Sequence, residues 1–148
     1  MTNHDLEALI EQSGTNAESK GFHDDGNLLR DIIASLGDTQ GGGTLLLGST
    51  AFQIPEDFWD RIYAAYKGNR LMLIVGELVE THEEIRSGKP SIYPGEQGKP
   101  EGTAVELADV QIRLGDYVWE FDEPVSEALD MKAEFNATRA KMHGGRKF

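Results

Sequence analysis

Between Thr103 and Phe121 an acidic line runs along a segment that is otherwise almost wholly apolar. Projected on a helix, Glu106, Asp109, Arg113, Asp116 and Glu120 fall within an arc of about 80°. Val105, Ala108, Ile112 and Trp119 flank that arc on one side, and Val110, Leu114, Tyr117, Val118 and Phe121 on the other. The solvent face of a surface helix is normally broader than this. The pattern therefore predicts acids turned inward, into a cleft between helices, where like charges cannot all stay ionised unless a cation neutralises them.

A second line precedes it. Arg70, Glu77, Glu80 and Glu84 share an arc of about 80°, clear of an apolar stripe made by Leu71, Ile74, Leu78 and Ile85. Glu77 with Glu80, and Glu106 with Asp109, stand three apart, so each pair occupies one helix face. Four convergent oxygen donors in a chain without cysteine suit a hard cation, Mg²⁺ or Mn²⁺, which keeps several waters and binds phosphate oxygens. Such a metal shields polyphosphate charge and lowers the pKa of a bound water for attack at phosphorus. Two plainer explanations compete. Thr103-x-x-Glu106 is also a capping box, and Glu-x-x-Glu on a helix is commonly a solvated face.

Around these lines the chain reads as all-α, with Gly- and Pro-rich punctuation between helical stretches. Amphipathic helices are expected over roughly Asp5 to Lys20 and Asn27 to Leu36. Residues 37–53 read as a flexible Gly-rich loop inserted before the core helices, because glycine disfavours helix; within it, Leu45 to Leu47 offers only weak evidence for a short strand. A helical block begins near Pro55 with Phe58, Trp59, Ile62, Tyr63 and Tyr66 at helical spacing. A break is expected at Gly68 and Asn69, with Asn69 capping a second helix through Arg86. Ser87 to Gly102 reads as an irregular, mobile connection. Further helices follow from Thr103 to about Phe121 and from Pro124 to before Gly144.

A chain of 148 residues with 39% hydrophobic content is expected to form a single domain over 1–148. The formal net charge of −12 opposes general affinity for nucleic acid or anionic membrane, so a polyanionic ligand needs metal ions as intermediaries. The absence of cysteine excludes disulfides and thiolate metal sites. Leu71 to Val75, the longest apolar run, is too short to span a bilayer, and a soluble cytoplasmic protein is the expectation.

With these residues in view, the sequence resembles the MazG-like all-α nucleoside triphosphate pyrophosphohydrolases, especially their small, phage-type members. The family signature is Glu-x-x-Glu, a variable spacer, then Glu-x-x-Asp; here it reads Glu77-Leu-Val-Glu80 and Glu106-Leu-Ala-Asp109. RLMLIVGELVETHEEIRSGK (Arg70 to Lys89) and ELADVQIRLGD (Glu106 to Asp116) look like the two metal-binding helices. DMKAEFNATRAKMHGGRKF resembles the family's Lys-x-x-x-Asn-x-x-Arg ending followed by His-Gly-Gly, and ESKGFHDD its leading helix and turn. The likeness covers about Ile54 to Phe148 well and Leu6 to Asp25 weakly.

The resemblance implies Mg²⁺-dependent hydrolysis of a nucleoside triphosphate, preferably a dNTP, between its α- and β-phosphates, releasing the monophosphate and pyrophosphate. It implies Glu77, Glu80, Glu106 and Asp109 as metal ligands and catalytic residues, and Lys132, Asn136, Arg139 and Arg113 as substrate-binding residues. It also implies a homodimer or homotetramer. Phe22, Trp59 and Tyr63 are candidates for reading the base, with a core role as the alternative for each; His82 is expected at the surface, and His143 as a helix-end cation. Three departures stand out: Gly76 occupies a position where many members carry a further Glu, a role then absent or moved to Glu84; Arg113 stands where several carry Tyr; and the Gly-rich insertion has no counterpart. Two other classes compete. One is a non-catalytic acidic helical protein that binds a basic partner or a metal. The other is a di-iron carboxylate bundle, which needs Glu-x-x-His pairs that this chain lacks.

Overall fold

The structure, a computed structural model, describes residues 3–35, 43–55 and 57–139. Five α-helices dominate them: α1 (Asn3–Ser19), α2 (Asp24–Ser35), α3 (Phe58–Ser87), α4 (Thr103–Phe121) and α5 (Val125–Ala137). Two small antiparallel hairpins interrupt the series, β1 (Gly43–Leu47) with β2 (Thr50–Ile54), and β3 (Tyr93–Pro94) with β4 (Pro100–Glu101). The all-α expectation holds for the architecture, and α4 has the bounds read from the sequence. None of the described helices is long and apolar enough to cross a membrane.

The centre of the fold is the pairing of α4 with α1 on one side and α3 on the other. Close approach of α1 depends on glycine. A Cβ at Gly14 would fall on the Trp119 ring, and one at Gly26 in α2 would lie 2.6 Å from both Glu120 Oε1 and the Tyr66 hydroxyl.

Three local expectations are corrected. The break at Gly68 and Asn69 does not occur, and Asn69 caps nothing: α3 runs unbroken for 30 residues. One interior glycine costs a helix only about 1 kcal/mol, and contacts with α4 and the turn after it bracket the position, Lys67 Nζ reaching Glu123 Oε1 at 2.6 Å and Arg70 reaching Asp116 and Glu120. The helix stops instead at Gly88, whose φ of 66° makes a left-handed cap.

The second correction concerns the loop assigned to 37–53. Residues 36–42 lie outside the described set, but 43–54 form a hairpin in which Leu47 pairs with Thr50 across Gly48-Ser49. Gly48 takes φ 62°, the left-handed backbone that two-residue hairpin turns demand. Gly48 thus supplies a turn.

Third, the connection from Ser87 to Gly102, otherwise irregular as expected, carries a two-residue pairing of β3 with β4 joined by a 3₁₀ turn at Glu96–Gly98. Two contacts tie it down: the Tyr93 hydroxyl donates to the Glu84 carboxylate at 3.0 Å, and the Ala104 amide donates to the Ser91 carbonyl. Glu84 is thereby engaged by the hairpin.

The apolar interior is small. Among the described residues only Ala17 and Val118 are buried hydrophobics, whereas Ser13, His23, Glu77, Thr81, Glu106 and Asp116 are buried polar ones. The expected apolar stripe on α3 is not covered: Leu71, Leu78 and Ile85 are exposed, together with Met72, Val75 and Val79. α3 carries apolar residues around most of its girth, so one neighbour, α4, cannot cover them all.

Candidate functional site: a carboxylate cluster between two helices

The acidic lines of α3 and α4 face each other, as their narrow arcs predict, and the seam between them has two dissimilar ends. At the end nearer the C-terminus of α4, both acids of the line, Asp116 and Glu120, are matched. Arg70 bridges Asp116 Oδ2 at 2.5 Å and Glu120 Oε2 at 3.0 Å, with its side chain only 11% exposed. His23 Nε2 lies 2.6 Å from Asp116 Oδ1 and its ring stacks on Trp119 at 5.3 Å. The Tyr66 hydroxyl donates to Glu120 Oε1 at 2.6 Å, and Arg30 approaches the same oxygen at 4.0 Å. Burial, then the Glu120 hydrogen bond, pushes the Tyr66 phenol far above its usual range, so it remains a donor. A buried carboxylate is tolerable when paired and hydrogen-bonded in this way.

The other end, in the first turns of α4, is acid-rich. Glu77, Glu80 and Glu106 each offer a carboxylate oxygen within 4.8 Å of the others; Glu77 and Glu106 are buried and Glu80 is exposed at the mouth. Glu106 is 7% exposed as a whole residue and no described residue gives its side chain a hydrogen bond, but its carboxylate keeps access to solvent, since among the described residues no side-chain oxygen is both sealed off and unpartnered. Its pKa is raised, first by burial and then by the charges of Glu80, Asp109 and Glu77, with Lys99 opposing. Arg113 supplies one cation: its Nε donates to Glu77 Oε1 at 2.5 Å.

The capping-box explanation of Glu106 does not describe this geometry. Gly102, with φ 116°, is the N-cap of α4 and makes no side-chain cap bond, while Thr103 is already the first helical residue. A Cβ at Gly102 would lie 2.6 Å from the Ser91 carbonyl oxygen, so the hairpin packs directly on the start of α4. Glu106 is thereby directed into the seam toward Glu77 and Glu80.

Of the four acids in the double signature, three meet in one cluster. Asp109, one helical turn beyond Glu106, acts on it through charge but stands outside the trio. An all-oxygen donor set of three converging carboxylates fits a hard divalent cation such as Mg²⁺ or Mn²⁺ by its chemistry.

The other residues singled out are dispersed. Lys132 and Asn136 are exposed on α5 and Arg139 is exposed just past its end; α5 follows the C-terminal end of α4, whereas Glu106 lies in the first turn of α4. Lys132 Nζ sits over the Phe135 ring at 5.5 Å. Phe22 is exposed; Trp59 packs edge-on against Phe58; Tyr63 joins Tyr66 and Phe121 in an aromatic group at the matched end. His82 is exposed, and His143 lies outside the described residues.

Sequence reasoning missed two participants. His23 stands inside ESKGFHDD, where a histidine directly after a helix-ending Gly-Phe is a usable signal. Lys99 gave no signal, because only the hairpin brings it near Glu106. No family model matches the chain, and no curated protein or solved structure matches it either.

Proposed function

We propose that this chain is a Mg²⁺-dependent nucleoside triphosphate pyrophosphohydrolase of the MazG-like type, acting on a nucleotide, preferably a dNTP, to release the monophosphate and pyrophosphate. One observation carries the reading: Glu77, Glu80 and Glu106 converge within 4.8 Å, and Glu106 takes no hydrogen bond from a described residue while its carboxylate stays open to water. The double Glu-x-x-Glu/Asp spacing adds to it.

Glu77, Glu80 and Glu106 would hold the cation, with Asp109 beside them. When bound there, Mg²⁺ supplies charge neutralisation for the polyphosphate and an acidified water. Glu77 and Glu106 are fixed by burial between α3 and α4, so two of the ligands are set before any ligand arrives. Glu80, at the mouth, admits the cation and keeps one side of the site open to water. Arg113 and Lys99 are the cations placed near this mouth to meet phosphate oxygens. Lys132, Asn136 and Arg139 rest on the resemblance alone; they reach phosphate or sugar only if α5 is laid against a site.

The reading includes a second copy of the chain, as homodimer or homotetramer. Leu71, Met72, Val75 and Val79 leave a continuous apolar face on α3, and with few buried hydrophobics among the described residues the fold gains stability by covering it. Sedimentation that finds only monomer at micromolar concentration refutes this part.

The test of function is a pyrophosphate-release screen over standard and aberrant (d)NTPs with Mg²⁺. Turnover of at least one is expected, with Glu80→Gln reducing it by about a hundredfold or more. Folded protein that turns over none, and in which Glu80→Gln changes nothing, favours the second reading, an acidic helical protein that binds a basic partner.

A further inference from the structure

We propose that Arg113 is the built-in counterion of the carboxylate cluster, holding Glu77 while no divalent cation is bound and passing from Glu77 to a polyphosphate ligand once a cation takes its place. This rests on the metal-site reading above.

The comparison with Arg70 makes the case. Arg70 bridges two carboxylates and is 11% exposed, which is the geometry of a permanent partner. Arg113 contacts one carboxylate, through Nε alone, and is 44% exposed, whereas the Glu77 side chain it holds is 9% exposed. Its terminal guanidinium nitrogens hydrogen-bond no described residue. Glu77 is held in mid-helix by packing and Arg113 is a long side chain at the solvent edge, so Arg113 is the member of the pair that can move.

A divalent ion held by Glu77, Glu80 and Glu106 would lie beside the guanidinium, and two cations sharing one buried carboxylate repel strongly where water screens poorly. Cation binding therefore displaces Arg113. Its fork of N–H donors then faces outward at the mouth, matched to phosphate oxygens rather than to a neutral ligand. Two effects of opposite sign follow. Arg113 competes with the metal when it binds alone and assists the polyphosphate when the metal is present, which couples the two ligands.

The experiment uses the full chain and calorimetry. Mn²⁺ is titrated alone into wild type, Arg113→Gln and Arg86→Gln; Arg86 pairs only with Glu83 on the exposed face of α3 and controls for lost charge. Inorganic pyrophosphate is then titrated at saturating Mn²⁺. Arg113→Gln is expected to bind Mn²⁺ about tenfold tighter than wild type and pyrophosphate about tenfold weaker, while Arg86→Gln changes neither. Arg113→Lys, which keeps the charge without the fork, should fall between, and it serves if the Gln variant fails to fold. Shifts of the same sign in both titrations, equal shifts in the Arg86 control, or no shift overturn the proposal. Mn²⁺ binding that Glu80→Gln abolishes and Arg113→Gln leaves unchanged overturns it while the metal site stands. No Mn²⁺ binding to either wild type or Arg113→Gln removes the metal site itself.

Discussion

The seam between α3 and α4 is acidic along its length, yet its two ends are built to different ends. Toward the C-terminus of α4, Asp116 and Glu120 are enclosed by Arg70, His23, Tyr66 and Arg30, and Lys67 with Glu123 closes the flank. Toward its N-terminus, Glu77, Glu80 and Glu106 gather with a single, half-exposed Arg113 against Glu77 and no described donor for Glu106. Similar side chains on the same two helices thus form a paired set at one end and a cluster with fewer described cationic partners at the other. A charged residue between helices says nothing about function until its partners are known. The acids with fewer partners point toward a ligand.

Substitutions should separate the two ends. The largest effect on stability is expected from Arg70→Ala, which leaves Asp116 and Glu120 buried without their shared guanidinium and should cost about 3–5 kcal/mol, measured by denaturant unfolding. A loss below about 1 kcal/mol, typical of exposed pairs, would show that the paired set is no structural lock. Next comes His23→Leu, which removes the partner of Asp116 Oδ1 and should cost about 1–3 kcal/mol without altering Mn²⁺ binding at the other end. A changed metal affinity in this variant would mean that the ends are not independent.

The smallest and most diagnostic effect has the opposite sign. Glu106 has a raised pKa in the folded chain because of burial and the neighbouring Glu80, Asp109 and Glu77. The folded state therefore binds more protons than the unfolded one, and metal-free stability falls as pH rises from the ordinary carboxylate range through the raised pKa, then levels off. Glu106→Gln should make that decline shallower and, above the window, leave the metal-free protein more stable than wild type in thermal unfolding. Destabilisation by this substitution would place Glu106 with the paired acids.

Much of this was legible in the residues. The confinement of Glu106, Asp109, Asp116 and Glu120 to one arc announced a buried acidic face, since helical periodicity places such residues together whatever the tertiary context. The bounds of α4 follow from Pro, Gly and Asp punctuation on either side. The continuity of α3 past Gly68 was not legible, because a local propensity deficit of about 1 kcal/mol is outweighed by ion pairs to a helix some 50 residues away in sequence, such as Arg70 with Glu120. Nor were the β3–β4 contacts, because Tyr93 meeting Glu84 depends on how the chain turns after Gly88.

Helix periodicity alone settles which acids share a face, and thereby the all-α class and the acidic seam, because side-chain direction along a helix is set by backbone geometry. Division of that seam into a paired end and a sparsely paired one belongs to the packed chain. Arg70, Arg113 and His23 are all near acids in the linear text, but whether each covers one carboxylate, two or none is decided by distances of a few ångströms between elements that meet only when α1, α3 and α4 close together.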